Sequence, residues 1–159
     1  MKTLVLIRHG HRDTLGTAQD NGLSQKGRDQ AIRILTFTQK KFPANSLPHL
    51  FSSPKKRCLE TIDPLTHYFT RPVQVVPNLL EQSFDETVID FKNRISQFFG
   101  VWEKSTGDAP SILCSHSDWI QEALRSIVRA EIELQKGGWV ELGWNPDGYQ
   151  LLQVIQELS

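Results

Sequence analysis

The sequence predicts an α/β fold, a three-layer α/β/α sandwich with a mostly parallel central sheet. Short, continuous apolar runs recur along the chain, as is typical of strands buried on both faces of a parallel sheet. Segments with helical spacing of apolar residues separate these runs, and such alternation favours parallel strands joined by helices. The chain has 159 residues, and no repeat, low-complexity tract or linker divides it. We therefore expect a single domain over residues 1–159.

The first predicted unit is a strand, a polar loop and a helix. The apolar run at residues 4–7 predicts the strand, and residues 8–23 form the loop. Ser24 is a suitable N-cap for a helix whose apolar positions recur with helical spacing. We expect that helix to end before Pro43.

The second and third units follow the same order. Residues 49–51 predict a short strand, and the Ser-Pro pair at 53–54 indicates an N-cap followed by a first helical proline. Pro64 is expected to end or kink this helix early. Residues 73–76 predict a third strand, and the spacing of large apolar residues over 91–102 predicts the next helix.

The last part of the chain completes the predicted sheet. Residues 111–114 predict a fourth buried strand, which leads at Ser117 into another amphipathic helix. Residues 139–142 and 149–155 predict a closing strand pair around the turn at 145–148.

Charged and polar residues directly follow the predicted strands. They are Arg8-His9-Gly10, the segment 52–57 that ends in Arg57, Leu80-Glu81, and Ser115-His116-Ser117. In open α/β sheets, ligands bind beyond the carboxyl ends of the strands. We therefore expect two arginines, two histidines and a carboxylate to gather at one edge of the sheet.

These residue types suit the transfer of a phosphoryl group. The planar guanidinium groups of Arg8 and Arg57 match phosphate oxygens and stay charged. The imidazole of His9 can attack phosphorus through one ring nitrogen if the other is held as N–H. Gly10 permits an unusual backbone angle or a close approach to bound phosphate.

Three further residues complete the predicted chemistry. A protonated His116 would stabilise the phosphoryl oxygens, and the helix that starts near Ser117 would supply N–H donors. Glu81 can protonate the leaving oxygen and later accept a proton from water. Because side chains serve every step, we expect no cofactor and no metal.

The bulk composition excludes several function classes. The 18 basic and 18 acidic residues cancel, so no overall field attracts the chain to nucleic acid or to a membrane surface. Only four apolar residues precede Arg8, too few for a signal peptide or a membrane span. Two widely spaced cysteines indicate no disulfide framework, and we expect a cytoplasmic protein.

With these residues assembled, the chain resembles the histidine phosphatase superfamily, whose fold is that of phosphoglycerate mutase. The resemblance rests on five ordered segments, residues 6–10, 23–31, 52–61, 80–81 and 115–117. It implies that Arg8, His9, Arg57 and His116 form the phosphate pocket and that Glu81 is the proton donor. Its expected substrate is a phosphorylated small molecule or a phosphohistidine protein.

Two departures refine the resemblance. Arg12 matches the Arg-His-Gly-x-Arg pattern of acid phosphatases, in which the additional arginine binds phosphate, but their His-Asp pair is absent, so we favour Glu81 over Asp118 as the acid. About eight residues separate Pro77 from the helix near Asp85, as in the compact members similar to the phosphohistidine phosphatase SixA. This short connection disfavours a mutase.

Some alternatives stay open from the sequence. Glu86, Asp85 or Asp13 could replace Glu81 as the acid. The residues His9, His11, Asp13 and His116 could imitate the ligand set of a metal-dependent hydrolase, although Arg8 and Arg12 would repel a cation. A module of the same fold that binds a phosphorylated ligand without catalysis is the third possibility.

Overall fold

The computed structural model describes residues 1–16, 19–105 and 107–159; Thr17 and Ala18, in the predicted loop 8–23, lie outside these ranges. The strands are β1 (Lys2–Arg8), β2 (His49–Ser52), β3 (Val73–Val75), β4 (Ser111–Ser115), β5 (Trp139–Asn145) and β6 (Gly148–Ile155). The α-helices are α1 (Gln25–Lys41), α2 (Lys56–Phe69), α3 (Val88–Ser105) and α4 (Ser117–Val128). Short 3₁₀ turns lie at Ala44–Ser46 and Pro77–Leu79. No helix within the described ranges is long and apolar enough to cross a membrane.

The six strands form one mixed sheet in the order β3-β2-β4-β1-β5-β6. Strands β1 to β4 are mutually parallel, whereas β5 is antiparallel to β1 and to β6. In this register Arg8 pairs with Ser115, and Ser52 pairs with Cys114. The carboxyl ends of β1, β2 and β4 therefore lie side by side, and the predicted α/β class is confirmed.

Alternating side chains of the buried strands form two hydrophobic cores, one on each face of the sheet. Leu4 and Leu6 of β1 face a core with α3 and α4 that contains Phe98 and Trp119. Val5 and Ile7 face the opposite core with α1 and α2. This period-two alternation places helices on both faces and makes three layers.

The predicted N-cap of α1 is confirmed, but α2 begins later than predicted and does not end at Pro64. Ser24 Oγ accepts a hydrogen bond from the Gly27 N–H. Helix α2 begins at Lys56 rather than at Pro54, and it continues through Pro64 to Phe69. An interior proline costs about 3 kcal/mol. Burial of neighbouring α2 side chains in the core outweighs this cost.

Candidate active site

The carboxyl ends of β1, β2 and β4 bring three segments together. The His9 N–H donates to the Ser115 carbonyl at 3.1 Å, and the Ser53 N–H donates to the Cys114 carbonyl at 3.0 Å. These bonds continue the parallel pairing by one residue beyond the strands. They fix the residues that follow each strand next to one another.

His9 is held as a neutral imidazole with a defined tautomer. Its side chain is buried, and Nδ1 donates to the Gly10 carbonyl at 2.8 Å. Arg57 Nε donates to Nε2 at 3.2 Å, so Nε2 carries a lone pair. Burial, reinforced by the positive charges of Arg57, His116 and Arg8, lowers the pKa of His9 to about 3. The ring is therefore an unprotonated base at neutral pH.

Arg57 lies at the centre of the site. The residue is only 4% exposed. Its Nη2 donates to both carboxylate oxygens of Glu81 at 2.9 Å and lies 3.3 Å from His116 Nδ1. One guanidinium thus contacts two of the other residues predicted for the phosphate pocket, His9 and His116, and the predicted proton donor Glu81.

His116 faces His9 across the pocket. The two ring centroids are 5.3 Å apart with planes inclined by 64°, so both rings can contact one bound tetrahedral anion. His116 Nε2 is 2.8 Å from Ser53 Oγ, and Nδ1 is 3.7 Å from Glu81 Oε2. The sequence predicts Ser53 as a helix cap, but in the structure its hydroxyl orients His116. The sequence signal for this role is the position of Ser53 directly after β2.

Glu81 is more exposed than His9, Arg57 and His116, with a side chain that is 40% accessible. Partial burial opposes its ionisation, but the charge of His116 and the hydrogen bond from Arg57 outweigh this, and the pKa of Glu81 is lowered. The carboxylate is therefore ionised in the free protein. A role as proton donor requires a proton that arrives with the substrate.

Arg94 of α3 holds the loop that carries Glu81, and sequence reasoning missed it. Its Nη1 donates to the carbonyls of Asn78 and Leu80, and its Nη2 donates to the Glu81 carbonyl at 2.9 Å. Both Arg94 Nε and Nη2 also bind the carboxylate of Glu86. An arginine in the middle of a helix carries no sequence signal for these contacts, which involve carbonyls of a separate loop.

The other candidate acids are engaged elsewhere. The pair with Arg94 lowers the pKa of Glu86 and holds its carboxylate. Asp85 accepts from Ser83, and Asp13 accepts from the Leu15 N–H. Asp118 accepts from the Gln82 N–H and so ties α4 to the Glu81 loop.

Arg8 reaches the site from β1 but is held differently from Arg57. Its Nη1 donates to the Leu134 carbonyl at 2.7 Å. Its Nε is buried and has no hydrogen-bond partner among the described residues. Burial lowers the pKa of Arg8, although the charges of Glu133 and Asp118 oppose this shift. A bound anion would supply the missing acceptor.

The remaining predicted binding residues lie at the edges of the site. Gly10 does not have a positive φ, so of the two alternatives predicted for it the unusual backbone angle is not found, and the close approach to phosphate stays a prediction. A Cβ atom there would lie 2.9 Å from the Gly27 carbonyl oxygen, so the residue lets the segment after β1 pack closely on α1. Ser117 is the first residue of α4, directly after His116. Arg12 is exposed and pairs with Leu23 in an isolated antiparallel bridge.

The side chains of the alternative metal set have other partners. His9 Nδ1 binds the Gly10 carbonyl, and His11 Nδ1 is 2.7 Å from Ser24 Oγ. Within residues 1–16, 19–105 and 107–159, no three His, Cys, Asp or Glu side chains are grouped so that they could hold a metal ion.

Comparison with known proteins defines the family. The chain matches the histidine phosphatase superfamily (branch 1) over residues 4–87, a little over half of its length. This chain therefore belongs to the histidine phosphatase superfamily. No curated protein matches it closely enough to be counted as a relative.

Solved structures of low sequence identity share the fold. A phosphoserine phosphatase of Entamoeba histolytica, in complex with 3-phosphoglyceric acid, has a TM-score of 0.80 and 17% identity, covering 97% of this chain and 96% of that chain. A mycobacterial glucosyl-3-phosphoglycerate phosphatase has a TM-score of 0.78 and 17% identity over 100% of both chains. A protein of Escherichia coli, proposed to be an alpha-ribazole-5'-P phosphatase, has a TM-score of 0.84 and 17% identity over 100% of both chains.

Proposed function

We propose that this chain is a phosphatase that hydrolyses a phosphomonoester or a phosphohistidine through a covalent phosphohistidine on His9. The observation that carries the proposal is the state of His9, which is buried and neutral, with Nε2 accepting from Arg57 and the ring of His116 5.3 Å away between centroids. A nucleophile needs this unprotonated nitrogen, and the phosphoryl oxygens need the adjacent cations.

In the first step, His9 Nε2 attacks phosphorus in line with the leaving oxygen. The P–N bond forms while the P–O bond breaks, and the leaving oxygen keeps the electron pair and takes a proton from Glu81. Nδ1–H continues to donate to the Gly10 carbonyl, which orients the ring and stabilises its positive charge. Arg57, Arg8 and His116 stabilise the phosphoryl oxygens.

The proton on Glu81 comes with the substrate. In the free protein, Arg57 binds both carboxylate oxygens of Glu81. A bound phosphoryl group competes for Arg57 and places negative charge beside Glu81, and both effects raise the affinity of that carboxylate for a proton. The second pKa of a phosphomonoester is about 6, so about a tenth of the substrate at pH 7 is the monoanion, and this species brings the proton that Glu81 needs.

In the second step, a water oxygen attacks phosphorus and gives a proton to the Glu81 carboxylate. The P–N bond breaks, the electron pair returns to Nε2, and inorganic phosphate leaves. The partial exposure of Glu81 allows water to reach this position. The connection between the 3₁₀ turn at Pro77–Leu79 and α3 is short, which disfavours a mutase, so we propose a hydrolase.

The structural neighbours suggest the substrate class. Two of them are a phosphoserine phosphatase and a glucosyl-3-phosphoglycerate phosphatase, which supports a phosphorylated small molecule as the substrate here. A phosphohistidine protein is the second candidate. The loop beside the site, between the 3₁₀ turn at Pro77–Leu79 and α3, is short and would leave room for a bulky substrate. Both cysteines are free thiols, which fits the proposed cytoplasmic location.

Hydrolysis of p-nitrophenyl phosphate tests the proposal. We expect wild-type activity to survive EDTA and to fall by at least about 10⁴-fold in His9→Ala, because the nucleophile is removed. His67→Ala, which changes an exposed histidine of α2, is the matched control and should retain full activity. Turnover by His9→Ala would overturn the mechanism, and loss of activity in EDTA would favour a metal-dependent hydrolase. Micromolar binding of phosphate esters without turnover would favour a noncatalytic binding module.

A further inference from the structure

A second cavity adjoins the proposed phosphate pocket. Its volume is about 550 Å³, and it is lined by Arg8, His11, Lys26, Gln30, Gln135, Lys136, Gln156 and Glu157. We call it the basic cleft. Arg8 links the two regions, since it lines the cleft and directly precedes His9 at the end of β1. The cleft therefore opens beside the reacting group and shares a guanidinium with it.

The backbone holds Lys136 against the end of β1. The Gly137 N–H donates to the carbonyls of Arg8 at 3.0 Å and His9 at 3.2 Å. On the other side, Gln30 Nε2 of α1 donates to the Lys136 carbonyl at 3.1 Å. Because these bonds flank Lys136, its position relative to His9 is set by the sheet and by α1 rather than by a free loop.

The positive charges of the cleft are not neutralised within the protein. Arg8, Lys26 and Lys136 face one lining carboxylate, that of Glu157, and none of the three forms an ion pair in the described part of the chain. Burial and repulsion from Arg8, Arg12 and Lys26 lower the pKa of Lys136. Such an arrangement destabilises the free protein, and a bound anion would relieve the repulsion.

We propose that the basic cleft binds a second anionic group of the substrate, so that preferred substrates are small phosphomonoesters that also carry a carboxylate or a second phosphate. Lys26 and Lys136 contact this second group, while Arg8 lies between it and the phosphoryl group at His9. The inference rests on the proposed phosphatase function and narrows its substrate class. The chain has a net charge of zero, so its overall charge gives no preference for more anionic substrates. That preference comes only from the local cluster of Arg8, Lys26 and Lys136.

Matched pairs of substrates test this inference. For a carboxylate, kcat/KM is measured with 3-phosphoglycerate and with glycerol 3-phosphate; for a second phosphate, with fructose 1,6-bisphosphate and with fructose 6-phosphate. We expect the wild type to prefer the more anionic member of at least one pair by about ten-fold or more. The pair that shows the preference identifies the second group as a carboxylate or a phosphate.

Variants locate the origin of the preference. Lys136→Gln and Lys26→Gln should each reduce the ratio of the two kcat/KM values by about five-fold or more, whereas Lys40→Gln, an exposed residue near the far end of α1, should leave the ratio unchanged. Each ratio is measured on one protein, so a partial loss of folding lowers both rates and not their quotient. Added salt should also reduce the ratio.

The outcomes separate the two proposals. Equal kcat/KM values for both members of both pairs, or a preference that persists in Lys136→Gln and Lys26→Gln, would overturn the inference while the phosphatase function stands. A wild type that hydrolyses neither these esters nor p-nitrophenyl phosphate would overturn the proposed function, and the substrate inference with it.

Discussion

The phosphate pocket and the loop that carries Glu81 are held in place by different means. His9, Arg57 and His116 are nearly inaccessible and follow strands or begin helices, so sheet pairing sets their backbone positions. Glu81 follows a 3₁₀ turn, is 40% accessible, and depends on side chains of α2 and α3. The pocket is rigid through its backbone, whereas the acid is positioned through the guanidinium groups of Arg57 and Arg94.

This difference predicts two kinds of kinetic defect. In the proposed mechanism, groups of the pocket contact the phosphoryl oxygens, so their loss should slow every substrate by a similar factor. In the same mechanism Glu81 serves the leaving oxygen, so its loss should matter only when that oxygen needs a proton. The dependence of the rate on the leaving group is therefore the measurement that distinguishes the two regions.

Among variants that compare the pocket with the Glu81 loop, the largest effect is expected for Glu81→Gln with alkyl phosphates. Removal of the general acid should lower kcat by about 10²–10⁴-fold, but much less for p-nitrophenyl phosphate, whose leaving group needs little protonation. Steady-state kinetics with both substrates measures this contrast. Asp85→Asn, a neighbouring exposed carboxylate, is the control and should behave as wild type. Equal losses on both substrates would show that Glu81 is not the acid.

Replacement of Arg57 tests the pocket. Arg57→Lys keeps the charge but loses the planar donors that contact His9 and Glu81. We expect a loss of about 10²–10³-fold in kcat/KM for aryl phosphates and a somewhat larger loss for alkyl phosphates, because Arg57 also positions Glu81. Lys56→Arg, the next residue, is exposed and controls for changes at the start of α2. A loss limited to alkyl phosphates would show that Arg57 acts by positioning Glu81 and not by contacting the phosphoryl oxygens.

Replacement of Arg94 should lower kcat in the same leaving-group-dependent way as replacement of Glu81, but by a smaller factor. Arg94→Gln removes the bonds to three loop carbonyls, and we expect kcat for alkyl phosphates to fall by about ten-fold, with p-nitrophenyl phosphate less affected. Arg94→Lys should restore part of the rate. Arg125→Gln changes a surface arginine of α4 and is the control. A loss without dependence on the leaving group would indicate a purely structural role.

The smallest expected effect is the change in kcat/KM on the acid side of the pH profile. In the proposed mechanism His9 reacts as a neutral imidazole, and its pKa of about 3 means that protonation removes it only at much lower pH. After kcat/KM is divided by the fraction of substrate present as the monoanion, we therefore expect it to change by less than about two-fold between pH 6.5 and pH 5, whereas an unperturbed histidine of pKa about 6.5 would lose activity progressively over this range. A decline of ten-fold per pH unit below 6.5 would contradict the burial argument.

The grouping of His9, Arg57 and His116 could be predicted from the sequence because the alternation of strands and helices is a pattern repeated along the chain. Each of His9, Arg57 and His116 lies close behind an apolar run, and parallel strands bring such positions together. The contacts of Arg94 and the bond from Arg8 to Leu134 join segments whose relative placement depends on packing, so no spacing rule reveals them. Pro64 shows the converse, because a strong local signal was overridden by burial of α2.

Trapping the covalent intermediate tests the central claim most directly. Wild-type protein is mixed with a ³²P-labelled phosphomonoester, quenched in alkali within milliseconds, and digested for mass spectrometry. The mechanism predicts one acid-labile, alkali-stable phosphohistidine, on Nε2 of His9, that forms and decays at rates compatible with kcat. Label on another residue, or turnover with no label on His9 when hydrolysis of the intermediate limits the rate, would contradict it.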